Sequence, residues 1–245
     1  MQDVLGIVGG FGGYATLDFF ARVLKKFASE SERGYPHIIM DNDFSMPSRT
    51  PPLLTGEGYK EVVSAIASSM RILVHRGGTK ARYIVLPCGT SHCFLPDVYR
   101  LVPEAEERVV HAIRLLGDDL RARGIKDVLV IAAEGTLYKH FYRDCLHDYG
   151  IRVSEPPEAE YQEIRYFIEC VKTDSYPVEL AERFCAFLQK YEEKDVVLGC
   201  TEFPVLMRHL MEREGMTPSD VYVWRGRRFY DPLTAVLDFL YKNMV

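Results

Sequence analysis

The chain has 245 residues, of which 47% are hydrophobic and 27% charged, with a formal net charge of −5 at pH 7, a balance typical of a globular protein. The mild acidity and the lack of a basic stripe exclude nucleic-acid binding, and the short apolar runs with no recognisable signal peptide predict a cytoplasmic protein without a membrane span. The six cysteines are scattered with no CxxC pair, so neither a zinc site nor a disulfide framework is expected.

Short apolar runs alternate with longer amphipathic segments along the chain. Strands are predicted at residues 4–8, 37–40, 82–86, 128–132 and 196–198. Helices are predicted at residues 14–28, 59–75, 103–123, 137–147, 158–171, 177–191, 204–213 and 233–242. Strands rich in Val and Ile and separated by helices favour mainly parallel sheets flanked by helices, in which the chemistry lies beyond the carboxyl ends of the strands.

Two pairs of segments resemble each other within the chain. Residues 4–8 and 128–132 are apolar runs that lead through glycine to a helix, and residues 84–88 resemble residues 196–200. Similar offsets between the members of both pairs favour duplication, which predicts an α/β fold of two pseudo-symmetric lobes with the active site in the cleft between them. The lobes are predicted to comprise residues 1–108 plus 219–245, and residues 109–218.

Cys88 and Cys200 each follow a predicted strand and are each soon followed by a threonine. If the two lobes face each other, the two thiols enter the cleft from opposite sides. This arrangement suits stereoinversion at a carbon acid, because one thiolate can remove the α-proton while the other thiol delivers a proton to the opposite face. Backbone N–H groups and a helix dipole at such positions stabilise a thiolate. We therefore predict Cys88 and Cys200 as the catalytic pair.

Four blocks of the sequence resemble the aspartate/glutamate racemase family, and most closely its aspartate racemases. They are Gly9-Gly10-Phe11-Gly12-Gly13-Tyr14-Ala15-Thr16, Asp41-Asn42 with Pro47-Ser48-Arg49-Thr50, Pro87-Cys88-Gly89-Thr90-Ser91-His92, and Leu198-Gly199-Cys200-Thr201-Glu202. The resemblance implies two pseudo-symmetric α/β lobes, a small amino-acid substrate, no pyridoxal phosphate or other cofactor, no metal, and a homodimer.

The resemblance also assigns roles to individual residues. Cys88 and Cys200 become the two acid/base thiols, and Arg49 would bind the side-chain carboxylate of a dicarboxylic substrate with its planar guanidinium. The other substrate-binding candidates are Thr90, Ser91, Thr201, Gly12, Asn42 and Glu202. Thr90 and Thr201 are also expected to cap the helices that follow them. Glu202 could in addition tune the Cys200 proton.

Two departures from the family pattern affect the expected substrate more than the expected reaction. Gly89 stands where the family usually has Asn, so a side-chain anchor for the substrate's amino-acid head is missing. Gly10-Phe11-Gly12-Gly13 stands in place of the family's Gly-Met-Gly-Pro. His92 and Lys139 receive no role.

The expected function is cofactor-independent racemisation of aspartate by a two-base thiol mechanism. Racemisation of glutamate, of a β-substituted aspartate or of a broader set of amino acids is an alternative. Maleate isomerisation, with a cysteine as nucleophile, and a decarboxylation that needs only one cysteine are others. A non-catalytic amino-acid sensor on the same scaffold would bind its ligand without exchanging the α-hydrogen.

Overall fold

In this computed structural model, which describes residues 3–28, 34–75, 80–217, 219 and 221–244, the strands form two separate sheets. The strands are β1 (Val4–Val8), β2 (His37–Asp41), β3 (Tyr83–Val85), β4 (Asp127–Ile131), β5 (Arg152–Ser154), β6 (Asp195–Leu198), β7 (Tyr222–Trp224) and β8 (Arg227–Tyr230). The α-helices are α1 (Gly13–Lys26), α2 (Thr50–Thr55), α3 (Tyr59–His75), α4 (Leu95–Leu101), α5 (Ala112–Ala122), α6 (Glu134–Tyr138), α7 (Phe141–His147), α8 (Tyr161–Lys172), α9 (Leu180–Leu188), α10 (Glu202–Arg213) and α11 (Pro232–Met244). Within the described ranges, none of these helices combines the length and apolarity that a bilayer crossing requires.

The two sheets repeat one plan. The first has the order β2-β1-β3 with all strands parallel, and the second has the order β5-β4-β6-β8-β7, parallel except for the β7–β8 pair. Strands β1 and β4 each lie between two parallel neighbours, and β3 and β6, which precede Cys88 and Cys200, are the corresponding neighbours of the two. Strand β3 ends the first sheet, whereas β6 also pairs with β8. The prediction of two pseudo-symmetric α/β lobes is confirmed.

Strand β1 shows why the first sheet lies at the centre of its lobe. All five of its residues are buried, as expected for a parallel strand covered by helices on both faces. Its side chains alternate between the two faces: Leu5 and Ile7 pack with α1 and α11, while Val8 packs with α3 and α4. A separate cluster of buried residues fills the second lobe around β4 and β6.

The C-terminal segment divides between the lobes. Strand β8 pairs with β6, so residues 222–230 belong to the second sheet, and assigning them to the first lobe was wrong. Arg225 and Gly226, with φ of 45° and 78°, form the two-residue turn of the β7–β8 hairpin. Helix α11 packs with α5, α1 and β1. The remaining lobe boundaries stay a prediction, and residues 1–2, 29–33, 76–79, 218, 220 and 245 of those ranges lie outside the described residues.

Two predicted helices are interrupted. The helix predicted over 103–123 begins as a short 3-10 turn, Pro103–Ala105, and then becomes extended at Val109, which forms a parallel bridge with Ile84 before α5 begins. The adjacent β-branched Val109 and Val110 favour this extension of the sheet edge. The helix predicted over 137–147 is split into α6 and α7 at His140, whose φ is 51°.

Candidate active site

The glycine loop after β1 is held by the segment that follows β2. Gly10 has a φ of +80°, and its N–H donates to Oδ1 of Asn42 over 2.7 Å. The close approach of the Asp43 backbone leaves no space for a Cβ at Gly10. The loop then brings Gly12 against Glu202 of the other lobe, because a Cβ at Gly12 would lie 2.8 Å from Oε1 of that carboxylate. The exposed Asn42 therefore shapes the loop, and its contact with a substrate stays a prediction.

Arg49, at the start of α2, carries an unpaired cation beside this loop. Its Nη2 donates to the carbonyl of Phe11 over 2.5 Å and its Nη1 to the carbonyl of Pro47 over 3.1 Å, while the guanidinium lies 5.0 Å from the Phe11 ring centroid. Its Nε is buried and has no hydrogen-bond partner, and no carboxylate of the described residues forms an ion pair with it. A buried, unmatched guanidinium N–H is suited to an anion that completes its hydrogen bonds.

The first cysteine loop is organised around the carbonyl of Cys88. That oxygen accepts hydrogen bonds from Ser91 Oγ at 2.7 Å and from His92 Nδ1 at 2.9 Å. The backbone N–H of Ala112 donates to His92 Nε2 over 3.4 Å, which places the imidazole proton on Nδ1. Burial lowers the pKa of His92 to about 4, so this imidazole is neutral at pH 7. Ser91 and His92 hold the loop, and for Ser91 a substrate contact stays a prediction.

The second cysteine loop places a thiol on a carboxylate. Cys200 Sγ donates to Oε2 of Glu202 over 2.9 Å, and Thr201 Oγ1 is 3.5 Å from the same oxygen. Burial, reinforced by the negative charge of Glu202 and the hydrogen bond to it, raises the pKa of the Cys200 thiol well above its usual value. The thiol is therefore protonated at neutral pH.

The expected capping by the two threonines is wrong. Thr201 is the N-cap residue of α10 but makes no side-chain capping hydrogen bond, because its hydroxyl lies toward Glu202. Thr90 Oγ1 is 2.8 Å from Thr136 Oγ1 of the second lobe, so its hydroxyl joins the lobes.

The backbones of the two cysteine loops touch across the cleft. A Cβ at Gly89 would lie less than 3.0 Å from the Gly199 carbonyl oxygen and 2.9 Å from the Tyr142 hydroxyl, which itself donates to that carbonyl over 3.2 Å. The cavity that Cys88 shares with these residues and Thr201 has a volume of about 10 Å³, space for one water molecule at most.

A larger cleft opens between the lobes beside Arg49. Its volume is about 430 Å³, and it is lined by α2 residues of the first lobe and by residues of α6 and α8 of the second, including Glu134, Arg165 and Lys172. Arg165 is held by a bidentate ion pair with Glu134 at 2.6 Å. Burial lowers the pKa of Lys172, but its hydrogen bond with Glu169 and the negative charge of Glu202 outweigh that effect and raise it. Lys172 is thus a second cation near the Cys200–Glu202 pair.

Three contacts join the site residues across the cleft: Gly12 with Glu202, Gly89 with Gly199, and Thr90 with Thr136. Within the lobes, Arg49 contacts Phe11, and Glu202 contacts Cys200 and Thr201. Sequence reasoning missed Tyr142 and Lys172, because nothing in their local sequence distinguishes them from packing or surface residues. Lys139 is exposed and lies over the ring of Tyr138. In the described part of the chain, no His, Cys, Asp and Glu side chains are grouped to hold a metal ion.

The fold and the site define an α/β protein of two pseudo-symmetric lobes, with a cysteine after the corresponding strand of each lobe. The chain belongs to the Asp/Glu/hydantoin racemase family, whose sequence profile matches residues 8–238. A glutamate racemase from Lactiplantibacillus plantarum is 32% identical over 127 residues, which are 49% of this chain and 44% of that protein. The match therefore spans less than half of the length of that relative.

Solved structures share the fold along nearly the whole chain. An aspartate racemase from Picrophilus torridus superposes with a TM-score of 0.77 at 22% identity and covers 98% of this chain and 94% of its own. An aspartate racemase homologue from Pyrococcus horikoshii OT3 gives 0.71 at 21% identity, covering 99% and 98%. A glutamate racemase from Francisella tularensis in complex with D-glutamate gives 0.66 at 16% identity, covering 98% and 80%. At these identities the likeness establishes the fold.

Proposed function

We propose that the protein is a cofactor-independent racemase of a dicarboxylic amino acid, with aspartate as the first candidate. The observation that carries this proposal is the contact between the two cysteine loops, Gly89 against Gly199, at the ends of equivalent strands. Membership of the racemase family supports stereoinversion as the reaction. The aspartate and glutamate racemases of the same fold support a substrate with two carboxylates.

The proposed reaction moves two protons between sulfur and carbon. The Cys88 thiolate removes the α-proton from one face of the substrate, and the electron pair left at Cα is delocalised into the α-carboxylate. The Cys200 thiol then donates its proton to the opposite face, which leaves Cys88 protonated and Cys200 as thiolate. The roles are exchanged for the other enantiomer. Because Glu202 keeps Cys200 protonated, the resting site has its proton donor in place.

Proton transfer supplies only about 10²–10⁴-fold of the acceleration. The exclusion of water beside Cys88 supports a further electrostatic contribution, because charge on the developing enolate interacts more strongly with fixed dipoles in a dry site. The cavity that Cys88 lines, of about 10 Å³, leaves no space for bulk water.

Substrate binding is proposed to use the cations of the cleft. Arg49 would bind the side-chain carboxylate through its buried, unpaired Nε, and Lys172 would offset the second negative charge. Contacts with the α-carboxylate and the amino group are proposed for Thr90, Ser91, Thr201, Gly12, Asn42 and Glu202. The backbone at Gly89 can approach the substrate closely in place of a side-chain anchor.

The test is hydrogen exchange at Cα. Purified protein is incubated with L-aspartate in deuterated water without added cofactor, and the reaction is followed by chiral chromatography and mass spectrometry. We expect D-aspartate that carries deuterium at Cα, and loss of its formation in Cys88→Ala and Cys200→Ala. Cys185→Ala, a half-buried cysteine on α9, is the matched control. Full racemisation by both cysteine variants contradicts the two-base mechanism, whereas ligand-induced stabilisation without any exchange indicates an amino-acid sensor.

Glutamate is the second candidate, because the curated relative that is 32% identical is a glutamate racemase. A panel of aspartate, glutamate, asparagine, alanine, β-methylaspartate and maleate separates the substrates. We expect the highest kcat/KM for aspartate. Faster turnover of glutamate would reassign the substrate and keep the mechanism, and fumarate formed from maleate would replace racemisation by isomerisation.

A further inference from the structure

Helix α1 of the first lobe and helix α10 of the second lobe pack side by side. At their N-terminal ends Gly12, the N-cap residue of α1, lies against the carboxylate of Glu202, the first residue of α10. Six residues further along each helix, Asp18 of α1 forms an ion pair with Arg208 of α10. Because both contacts advance in the same sense, the helices run in the same direction, and the two contacts are about 9 Å apart.

The ion pair between α1 and α10 is shielded and has further partners. The side chains of Asp18 and Arg208 are mostly buried. Nη1 of Arg208 also donates to the Tyr222 hydroxyl over 2.6 Å, and Asp18 lies 3.6 Å from Nη1 of Arg22, which itself pairs with the buried carboxylate of Asp231. An isolated surface ion pair contributes little, but a shielded pair with several partners holds its side chains in one geometry. This network therefore fixes α10 on α1.

The position of α10 on α1 matters because Glu202 is held from two sides. Its Oε2 accepts the hydrogen bond from the Cys200 thiol at 2.9 Å, while a Cβ at Gly12 would lie 2.8 Å from its Oε1. Close contact with the Gly12 backbone thus leaves the buried carboxylate little space to rotate away from the thiol. A shift of α10 relative to α1 would remove that contact and free the Glu202 side chain.

We propose that Arg208 is a positioning residue for the Cys200–Glu202 pair. Through its ion pair with Asp18 it fixes α10 on α1, and the Glu202 carboxylate is thereby kept on the Cys200 thiol. Arg208 lies nearly two turns of α10 from Glu202, so it acts through the position of the helix. The consequence for catalysis rests on the proposed two-thiol function, whereas the consequence for the Cys200 proton does not.

The first experiment measures how readily the Cys200 thiolate forms. The folded full chain is treated with iodoacetamide at a series of pH values, and mass spectrometry follows the modification rate of the peptide that contains Cys200, because only the thiolate reacts. In Arg208→Gln the pH dependence of this rate should move to lower pH by about one to two units, the size of one charged hydrogen bond. Loss of the positive charge alone would move it to higher pH, so the direction of the shift separates the two explanations.

Three variants control this measurement. Arg213→Gln removes an exposed arginine from the other end of α10 and should leave the pH dependence as in the wild type. Arg208→Lys keeps the cation and its ion pair and should also resemble the wild type. In a Glu202→Gln background, Arg208→Gln should cause no further shift to lower pH, because the carboxylate that it positions is gone. The other titratable groups that interact electrostatically with Cys200 are unchanged in Arg208→Gln: Cys88, Tyr142 and Lys172.

Racemisation supplies a second readout. The pH profile of kcat for Arg208→Gln should move to lower pH in the direction that uses Cys200 as base, and it should stay in place in the direction that uses Cys88. Tyr222→Phe removes only a hydroxyl that accepts from Arg208 and no charge, so it should give a smaller shift of the same sign. It decides the matter if circular dichroism shows that Arg208→Gln is unfolded.

Two outcomes of the alkylation series overturn the proposal. One is a folded Arg208→Gln variant whose pH dependence matches that of Arg213→Gln or moves to higher pH, with Tyr222→Phe unshifted as well. The other is a shift to lower pH that persists in full in the Glu202→Gln background. A wild-type protein without racemase activity would instead overturn the proposed function, and the alkylation series would still decide the role of Arg208.

Discussion

Gly89→Ala tests whether the spacing of the two cysteine loops controls catalysis. The added Cβ would lie less than 3.0 Å from the Gly199 carbonyl oxygen and 2.9 Å from the Tyr142 hydroxyl, whereas ordinary contact begins at 3.4 Å. Both neighbours are buried and the nearer one is backbone, so the loops must separate by roughly 0.5–1 Å. A displacement of about 1 Å between reacting groups costs on the order of 10²-fold in rate, and the overpacking costs about 1–3 kcal/mol of unfolding free energy.

The assay compares kcat and KM for aspartate racemisation with urea unfolding of the same preparation. Gly13→Ala is the matched control, because a Cβ there makes its nearest contact at 3.6 Å, with the Phe44 ring, and needs no backbone shift. We expect Gly89→Ala to lose kcat while remaining folded, and Gly13→Ala to keep it. A folded Gly89→Ala variant with the wild-type kcat in both directions would refute the view that backbone contact sets the distance between the thiols.

Three further predictions concern charge and protonation. Glu202→Gln removes the carboxylate that raises the pKa of Cys200, so the thiolate should form at lower pH. The alkaline rise of kcat should then move to lower pH in the direction that uses Cys200 as base, and an unchanged or opposite profile contradicts the pairing. Arg49→Ala should raise KM for aspartate by about 10–10²-fold, because a charged hydrogen bond worth about 1.5–3 kcal/mol is lost. The KM for the substrate alanine, which has no side-chain carboxylate, should change little in the same assay. His92, buried with its pKa lowered from 6.5 to about 4, binds its proton in the unfolded chain first, so the unfolding free energy should fall by up to about 3 kcal/mol as the pH drops from 6.5 to 4. Urea titrations of the wild type and His92→Asn should diverge in that window, and parallel curves would contradict the assignment.

The strands that carry the cysteines could be predicted because burial dictates their sequence. A parallel strand covered on both faces must be apolar where it is buried, and β3 and β6 satisfy that rule with Ile84-Val85 and Val196-Val197-Leu198. Each strand is followed by a helix-forming segment, so the two-lobe plan and the places of Cys88 and Cys200 follow from local pattern. The repeat of that pattern then relates the two cysteines.

The β7–β8 hairpin could not be predicted in the same way. Strand β8 begins with Arg227 and Arg228, and two adjacent charged residues do not predict a buried strand from the local sequence. The structure compensates for both charges with distant groups: Arg228 forms a bidentate pair with Asp195, and Arg227 donates to the backbone carbonyls of Leu188 and Tyr191. These partners are more than thirty residues away, so the strand is specified by tertiary contacts.

Dependence on tertiary contacts also explains why the sequence predicted only some of the site residues. The positions of Arg49 and Glu202 are tied to motifs. Tyr142 contacts the Gly199 carbonyl, and Lys172 lines the larger cleft, only through the packing of α7 and α8. Gly89 shows the difference between the two views. In the sequence it is a position that lacks the Asn side chain usual in the family. In the fold the Gly199 backbone and the Tyr142 hydroxyl leave no space for any side chain there.

The two halves of the proposed site are related by symmetry but differ in chemistry. Thr90 and Glu202 each stand two residues after a cysteine, yet Thr90 meets the neutral hydroxyl of Thr136 while Glu202 meets the Cys200 thiol itself. In the proposed mechanism the resting proton therefore lies on Cys200, and the resting form acts on the enantiomer whose α-proton faces Cys88. Because two enantiomers have equal free energy, the equilibrium constant is one and kcat/KM must be equal in both directions. The asymmetry introduced by Glu202 can therefore appear only as unequal kcat values matched by equally unequal KM values.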